Sequence, residues 1–296
     1  MQQRYILFQA YGNKSILLEC QFALMQLLKY NSTDSFCVVL YTDDQDFFKP
    51  ILQQFIHHEI IYVTPGKIKQ WRGEINFVHR VKIEILLDFF ETHTSAVLYF
   101  DTDTYCKNSV IPLFEEIEKG SIIMHTYEGD LDNRKNIVFK KWKHFLQQNK
   151  INCNGKLIKN IDSIQMWNAG VIGFNKAYIT QLKQTLQLTD SIYPKFSKHT
   201  VEQFAFSYIF QNTTSVKAAD SIIFHYWDLK EYQELLKYFF EKNHSLTTQQ
   251  QTEKLQEILP ENIFPEKRFY KKLPFYKKWI SQKWEIGKYV KLADKN

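Results

Sequence analysis

The sequence predicts an α/β fold with a mostly parallel central sheet flanked by helices, on three observations. Short apolar runs alternate with longer segments of helical period, one of those runs ends in paired aspartates, and 296 residues with 44% apolar content suffice to bury one sizeable core. Strands are expected at residues 5–10, 36–41, 59–63, 96–100 and 121–125. Between them, residues 15–30 repeat Ile16, Leu17, Cys20, Ala23, Leu24, Leu27 and Leu28 at helical spacing, and residues 77–90 do so through Val78, Val81, Ile85, Leu86 and Phe89. This order reads as successive βαβ units, which place ligands at the carboxyl ends of the strands.

Residues 128–163 break the rhythm with Gly129-Asp130, the polar run Asp132-Asn133-Arg134-Lys135-Asn136, a short basic-aromatic helix and then Asn152-Cys153-Asn154-Gly155. An inserted, mobile excursion is expected, either closing over a ligand or lying on the surface. The pattern resumes with a strand at 167–175, helices at 176–188 and 201–211, and a last strand at 221–226. One domain over residues 1–245 and a helical, basic-aromatic tail over 246–296 is the expected organisation.

Charge separates the same two regions. Residues 266–296 hold ten Lys/Arg against three Asp/Glu, a surplus of seven in a chain of net +6, so the preceding residues sum to −1. A near-neutral body lacks the positive coat of a nucleic-acid-binding domain. The four scattered cysteines, Cys20, Cys37, Cys106 and Cys153, form neither a CxxC knuckle nor a dense disulfide framework, so reduced thiols in a cytoplasm are expected. No charged leader precedes the first strand and no apolar stretch approaches about 18 residues, so neither an export signal nor a membrane span is expected.

The strongest chemical signal is Val97-Leu98-Tyr99-Phe100-Asp101-Thr102-Asp103-Thr104, an apolar strand ending in two carboxylates one residue apart. In extended backbone, residues i and i+2 share a face, so Asp101 and Asp103 can converge on one hard cation beyond the sheet edge.

This segment resembles the DxD motif of GT-A glycosyltransferases, and the layout of residues 4–228 is similar to the glycogenin-like and bacterial lipopolysaccharide galactosyltransferase group, family eight. The resemblance implies a GT-A, Rossmann-like fold, with Asp101-Thr102-Asp103 holding Mn²⁺, or Mg²⁺, under the diphosphate of a UDP-sugar. It implies hexose transfer to a saccharide or glycolipid acceptor in surface glycan assembly, with anomeric configuration retained. Trp167-Asn168-Ala169-Gly170-Val171 resembles the strand that lines the donor sugar. Asn168 offers an amide to hydroxyls, while Ala169 and Gly170 permit close backbone approach. His225, in Phe224-His225-Tyr226-Trp227, stands where the group has a metal-ligating histidine, and the Asp101, Asp103 and His225 set suits Mn²⁺ better than Mg²⁺. The group's following glycine and Lys-Pro-Trp are replaced by Trp227-Asp228-Leu229-Lys230, which leaves Lys230 a weak candidate for the diphosphate.

By the same resemblance, Arg80 and then Lys82 are expected near the donor's charged region, against plain solvated helix charge. Tyr11 and Gly12 are expected at the base, and Asp43 at uracil or ribose unless it is only a helix cap. Glu202 is expected at the reaction centre, as acceptor-positioning group, base or sugar-face carboxylate, unless it is a first-turn glutamate serving the helix dipole. The tail interleaves cations with rings from Lys267 through Trp284 and Tyr289, which suits an anionic membrane surface on the cytoplasmic side. A docked helix and nucleic-acid contact are the competing readings of that tail. A nucleotidyltransferase and an inactive scaffold are the rival functions.

Overall fold

The computed structural model describes residues 3–133, 135–153, 155–274 and 277. β1 (Arg4–Ala10) alternates its apolar residues between two cores. Tyr5 and Leu7 face one, and Ile6, Phe8 and Ala10 the other, as the two-residue period of a strand buried on both faces requires. Asn13 caps α1 (Lys14–Tyr30) by accepting from the Ser15 amide, and β2 (Cys37–Thr42) follows, fully buried. Asp44 caps α2 (Gln45–Leu52), which leads to β3 (His57–Tyr62). α3 (Pro65–Arg72), which the periodicity of the sequence did not announce, starts on a Thr64 cap with proline in its first turn. α4 (Arg80–Thr92) begins three residues later than expected, because Gly73 (φ 65°) and Asn76 (φ 49°) turn the chain through left-handed backbone first.

β4 (Ala96–Phe100) carries the apolar run, followed by β5 (Thr104–Cys106), α5 (Ile111–Glu118), β6 (Ile122–Met124) and β7 (Tyr127–Asp130). The excursion holds α6 (Ile137–Gln148) and a small hairpin of β8 (Asn152–Cys153) and β9 (Lys156–Leu157). The single strand expected at 167–175 is two, β10 (Gln165–Trp167) and β11 (Val171–Phe174), parted at Asn168-Ala169-Gly170. α7 (Ile179–Ile192), α8 (Val201–Gln211), β12 (Val216–Ala218), β13 (Ile223–His225), α9 (Tyr232–Lys242), α10 (Thr248–Leu255) and α11 (Pro260–Lys272) complete the described chain.

The main sheet has seven strands in the order β12-β6-β11-β4-β1-β2-β3. All run parallel except β11, which is antiparallel to both β4 and β6. The fold is therefore the expected mixed α/β fold with a mostly parallel sheet. One face packs α1, α2, α5, α9 and the start of α11, and the other packs α3, α4, α6, α7 and α8.

Two expectations change. The excursion at 128–163 is not a loose loop, because Phe139, Trp142, Phe145 and Leu146 form one buried face of α6. Trp142 stacks on Phe204 at 4.2 Å and donates to the Thr200 hydroxyl at 3.0 Å. The boundary expected at 245/246 falls inside packed structure, since Leu255, Ile258, Leu259, Ile263 and Phe264 belong to the core around α1 and α9. In α11, Lys267 pairs with Glu231 and Lys271 with Asp228, so that part of the tail is docked. The remaining basic-aromatic segment, 275–276 and 278–296, lies outside the described residues. No helix among the described residues is long and apolar enough to cross a membrane.

Candidate functional site

Parallel strands end on one edge of the sheet, and the residues after them build the site. β1 leads to Tyr11 and Gly12, β2 to Asp43, β4 to Asp101 and β6 to His125. Because β11 runs the other way, its beginning arrives at this same edge and brings Asn168-Ala169-Gly170 with it. The Asp101 amide donates to the Gly170 carbonyl at 2.8 Å.

Asp101 and Asp103 converge through a turn and not through strand alternation as expected. The Thr104 amide and hydroxyl both donate to the Asp101 carbonyl, at 3.2 and 2.7 Å, which folds Thr102 and Asp103 back over the strand end. The Asp101 carboxylate accepts from the Tyr99 hydroxyl at 2.9 Å and from Lys82 Nζ at 3.0 Å. Lys82 is 3% exposed, donates also to the Ala169 carbonyl at 2.8 Å and pairs with Glu202 at 2.9 Å. Burial alone would lower the Lys82 pKa, but the Asp101 and Glu202 carboxylates outweigh it and raise the pKa above its ordinary value.

Asp103 is gripped from the other side. β13 pairs with β5 so that His225 lies opposite Thr104, and the Tyr226 amide donates to the Asp103 carbonyl at 3.0 Å. His225 Nε2 is 3.0 Å from one Asp103 oxygen, and Lys230 Nζ is 3.0 Å from the other. Burial raises the Asp103 pKa, but His225 and Lys230 overcome that and hold it well below the usual carboxylate range. His225 Nδ1 lies 2.9 Å from the Asn168 side-chain oxygen, which also accepts from the Gly170 amide at 3.0 Å. That contact places a proton on Nδ1, so a cation arriving at Asp103 could take the Nε2 lone pair by displacing the proton that Nε2 shares with the carboxylate. One ligand atom from each of Asp101, Asp103 and His225 lies within 4.8 Å of the others.

Two carboxylates and one imidazole, each turned by an outer partner, form a donor set that fits Mn²⁺ or Mg²⁺. The cationic groups of Lys82 and Lys230 already lie on the two carboxylates. Gly170 serves this arrangement directly. A Cβ there would stand 2.4 Å from the His225 ring, so its bareness admits the imidazole, where the sequence suggested a ligand. His125, perpendicular to His225 at 5.2 Å, is pushed down to about 4 by burial and by the neighbouring His225.

The nucleotide candidates also cluster. The Gly12 amide donates to Asp43 at 2.9 Å, and Asp44, not Asp43, caps α2. Tyr11, Gly12 and Asp43 line an open cavity of about 430 Å³ with Ile68, Lys69, Arg72 and Asn76. Burial pushes the Tyr11 hydroxyl up to about 12. Arg72 was missed by sequence reading, although its Nε is buried without a partner. Arg80, the first choice, is engaged elsewhere. Its guanidinium binds Asp190, Glu84 and the Trp71 carbonyl at 2.6–3.1 Å, tying α3, α4 and α7 together, so Lys82 takes the site position.

Ala169 gives its carbonyl to Lys82. Glu202 is 3% exposed under the same lysine, which makes it a buried counter-charge and leaves it unsuited to act as an open base. The next residue, Gln203, donates instead to Glu128 at 2.8 Å, and Glu128 in turn accepts from Asn168 at 3.1 Å. Gln203 directly follows the candidate Glu202 in the same helix, whereas Glu128 is not among the sequence candidates. The only sequence signal for Glu128 was its position at the start of the excursion.

No family model matches the chain. Two curated relatives do, a lipopolysaccharide glucosyltransferase, WaaO, of Escherichia coli K12 and a lipopolysaccharide 1,3-galactosyltransferase of Salmonella typhimurium. Each is 26% identical over 132 residues, 42% of this chain. The match spans 39% of the length of these relatives. Among solved structures, mouse xyloside xylosyltransferase 1 is 15% identical with a TM-score of 0.48, covering 73% of this chain and 84% of that one. The galactosyltransferase LgtC, with donor and acceptor sugar analogs, is 14% identical with a TM-score of 0.48, covering 73% of each chain. GlyE of Streptococcus pneumoniae is 16% identical with a TM-score of 0.46, covering 82% and 51%. The chain is thus similar, over the matched stretch of its sequence, to lipopolysaccharide hexosyltransferases, in agreement with the resemblance carried by its motifs.

Proposed function

We propose that this protein transfers a hexose from a UDP-sugar to a saccharide or glycolipid acceptor in surface glycan assembly. The observation that carries the reading is the convergence of Asp101, Asp103 and His225, with Asn168 directing the imidazole. These three residues would hold Mn²⁺ or Mg²⁺, which supplies charge neutralisation for the departing diphosphate. Lys82 fixes Asp101 from beneath, and Lys230, largely exposed on Asp103, is free in geometry to turn its ammonium to phosphate oxygens. The cavity of Tyr11, Gly12, Asp43 and Arg72 takes the uridine, with Asp43 as acceptor and Arg72 as donor. Glu128, Asn168 and Gln203 form a chained acid and amide wall for sugar hydroxyls. The match to lipopolysaccharide transferases supports placing the acceptor among cell-surface glycans, and the surplus of cations in residues 266–296 supports attachment to an anionic membrane surface.

A thermal-shift series tests this. UDP with Mn²⁺ should raise the melting temperature, since a ligand that binds only the folded state stabilises it. Asp103→Asn should abolish the shift and Mn²⁺-dependent release of UDP from UDP-sugars. A shift given by GDP or CMP but not UDP would refute the uridine assignment.

A further inference from the structure

Trp227 is a large apolar side chain left 52% exposed two residues after His225. It occupies a tight turn in which the Leu229 amide donates to the Tyr226 carbonyl at 2.7 Å. Tyr226 and Leu229, on either side, are fully buried, and Asp228 is tied down by Lys267 and Lys271. The turn is pinned at both ends to one carboxylate, since His225 and Lys230 each reach Asp103 at 3.0 Å. Two residues of chain hold the Trp227 Cα within about 7 Å of that of His225. Anchored this firmly beside the cation ligands and yet uncovered, the indole is presented for a partner.

We propose that Trp227 is the stacking platform of the acceptor subsite, and that its occupant is a pyranose ring of a carbohydrate. This rests on the glycosyl-transfer reading above and specifies its acceptor side. The uridine cavity is lined from the ends of β1, β2 and β3 and by α3, whereas Trp227 is not among its lining and follows β13, which pairs with β5 in a separate two-stranded sheet, so Trp227 is left for the second substrate. The rim there joins rings to acids and amides. Tyr127, 45% exposed, leans on Trp167 at 5.4 Å, next to Glu128 and its partners Asn168 and Gln203. A pyranose needs that combination, an aromatic surface for its C–H face and acceptors for its hydroxyls. A hydroxyl-bearing ring suits this set, because the Asn168 and Gln203 amides both donate to the Glu128 carboxylate.

The test uses the full chain with Mn²⁺ and with UDP-glucose and UDP-galactose as donors. The acceptor probes are deacylated lipopolysaccharide core oligosaccharide, lactose, a serine-containing peptide and a polyprenol. Saccharides should accept hexose, and Trp227→Ala should raise the KM for the saccharide about tenfold while kcat stays within about threefold. Trp227→Phe should recover most of the loss. Both variants should keep the melting shift with UDP and Mn²⁺, which shows that the donor side is still built. A saccharide KM unchanged in Trp227→Ala overturns the proposal alone, whereas transfer to the peptide or polyprenol with no saccharide accepted overturns it together with the acceptor of the reading above. Absence of any UDP–Mn²⁺ shift in the parent protein overturns the underlying reading and the inference together.

Discussion

The two aspartates of one motif sit in contrasting surroundings. Asp101 is fastened from inside the protein by a lysine that is 3% exposed and a buried tyrosine, whereas Asp103 is held by a histidine and by a lysine whose side chain is 65% exposed. The inner corner is part of the architecture, linking α4, β4, the start of β11 and α8 through Lys82, Asp101, Ala169 and Glu202. The outer corner is exchangeable, because the Lys230 ammonium can leave Asp103 for solvent or a ligand at little cost. A cation bound there would meet one carboxylate fixed in position and one whose lysine counter-charge can be exchanged.

Variants on the two corners should therefore behave differently. The largest effect is expected for Lys82→Met, which strands Asp101 and Glu202 without their shared counter-charge. Urea unfolding should show a loss of about 3–5 kcal/mol. A loss below about 1 kcal/mol would mean that the inner corner is not structural.

Next comes Glu19 on α1, 2% exposed, with one oxygen on Gln233 and the other unpartnered. Burial, aided by Asp103, pushes its carboxyl up from 4.5 to about 7. Because the folded value lies above the unfolded one, the folded state binds the extra proton in between. Stability should fall by roughly 3 kcal/mol as the pH rises from about 4.5 to 7. Glu19→Gln should lack that decline, so melting curves of the variant and parent should separate in the variant's favour at pH 8 and converge near pH 4.5. Parallel curves across the range would remove Glu19 from the account of the outer corner.

The smallest effect on stability belongs to Lys230→Ala, under about 1 kcal/mol for a largely exposed pair. Its affinity for UDP with Mn²⁺ should nevertheless drop severalfold by isothermal calorimetry. Unchanged affinity would show that the outer corner is no more exchangeable than the inner one.

Much of this was legible in the sequence because strands buried on both faces announce themselves as unbroken apolar runs, and because their ends fall together on one edge. Asp101 and Asp103 were found that way, whereas His225, Asn168, Tyr11, Gly12 and Asp43 were reached through the family resemblance, and the structure gathers the first two at Asp103 and the last three around one cavity. What stayed hidden depended on pairing across long separations. Nothing local to Arg80 reveals that Asp190, 110 positions later, claims its guanidinium. Nothing local to Glu202 says that a helix an earlier 120 residues away will bury a lysine over it. The helix α6 was readable from its rings and lysines, but nothing local says that Trp142 stacks on Phe204 of α8.

The reversed direction of β11 has a design consequence. A strand that enters the site, where its neighbours leave it, must be fed by whatever chain comes before, and here that is residues 128–163. The floor of the site is fixed by the strand itself, through the Ala169 and Gly170 carbonyls. The feeding segment begins with Glu128 and anchors itself through the buried face of α6, so under the proposed function a change in its length would act on the sugar-facing wall while the floor stays in place.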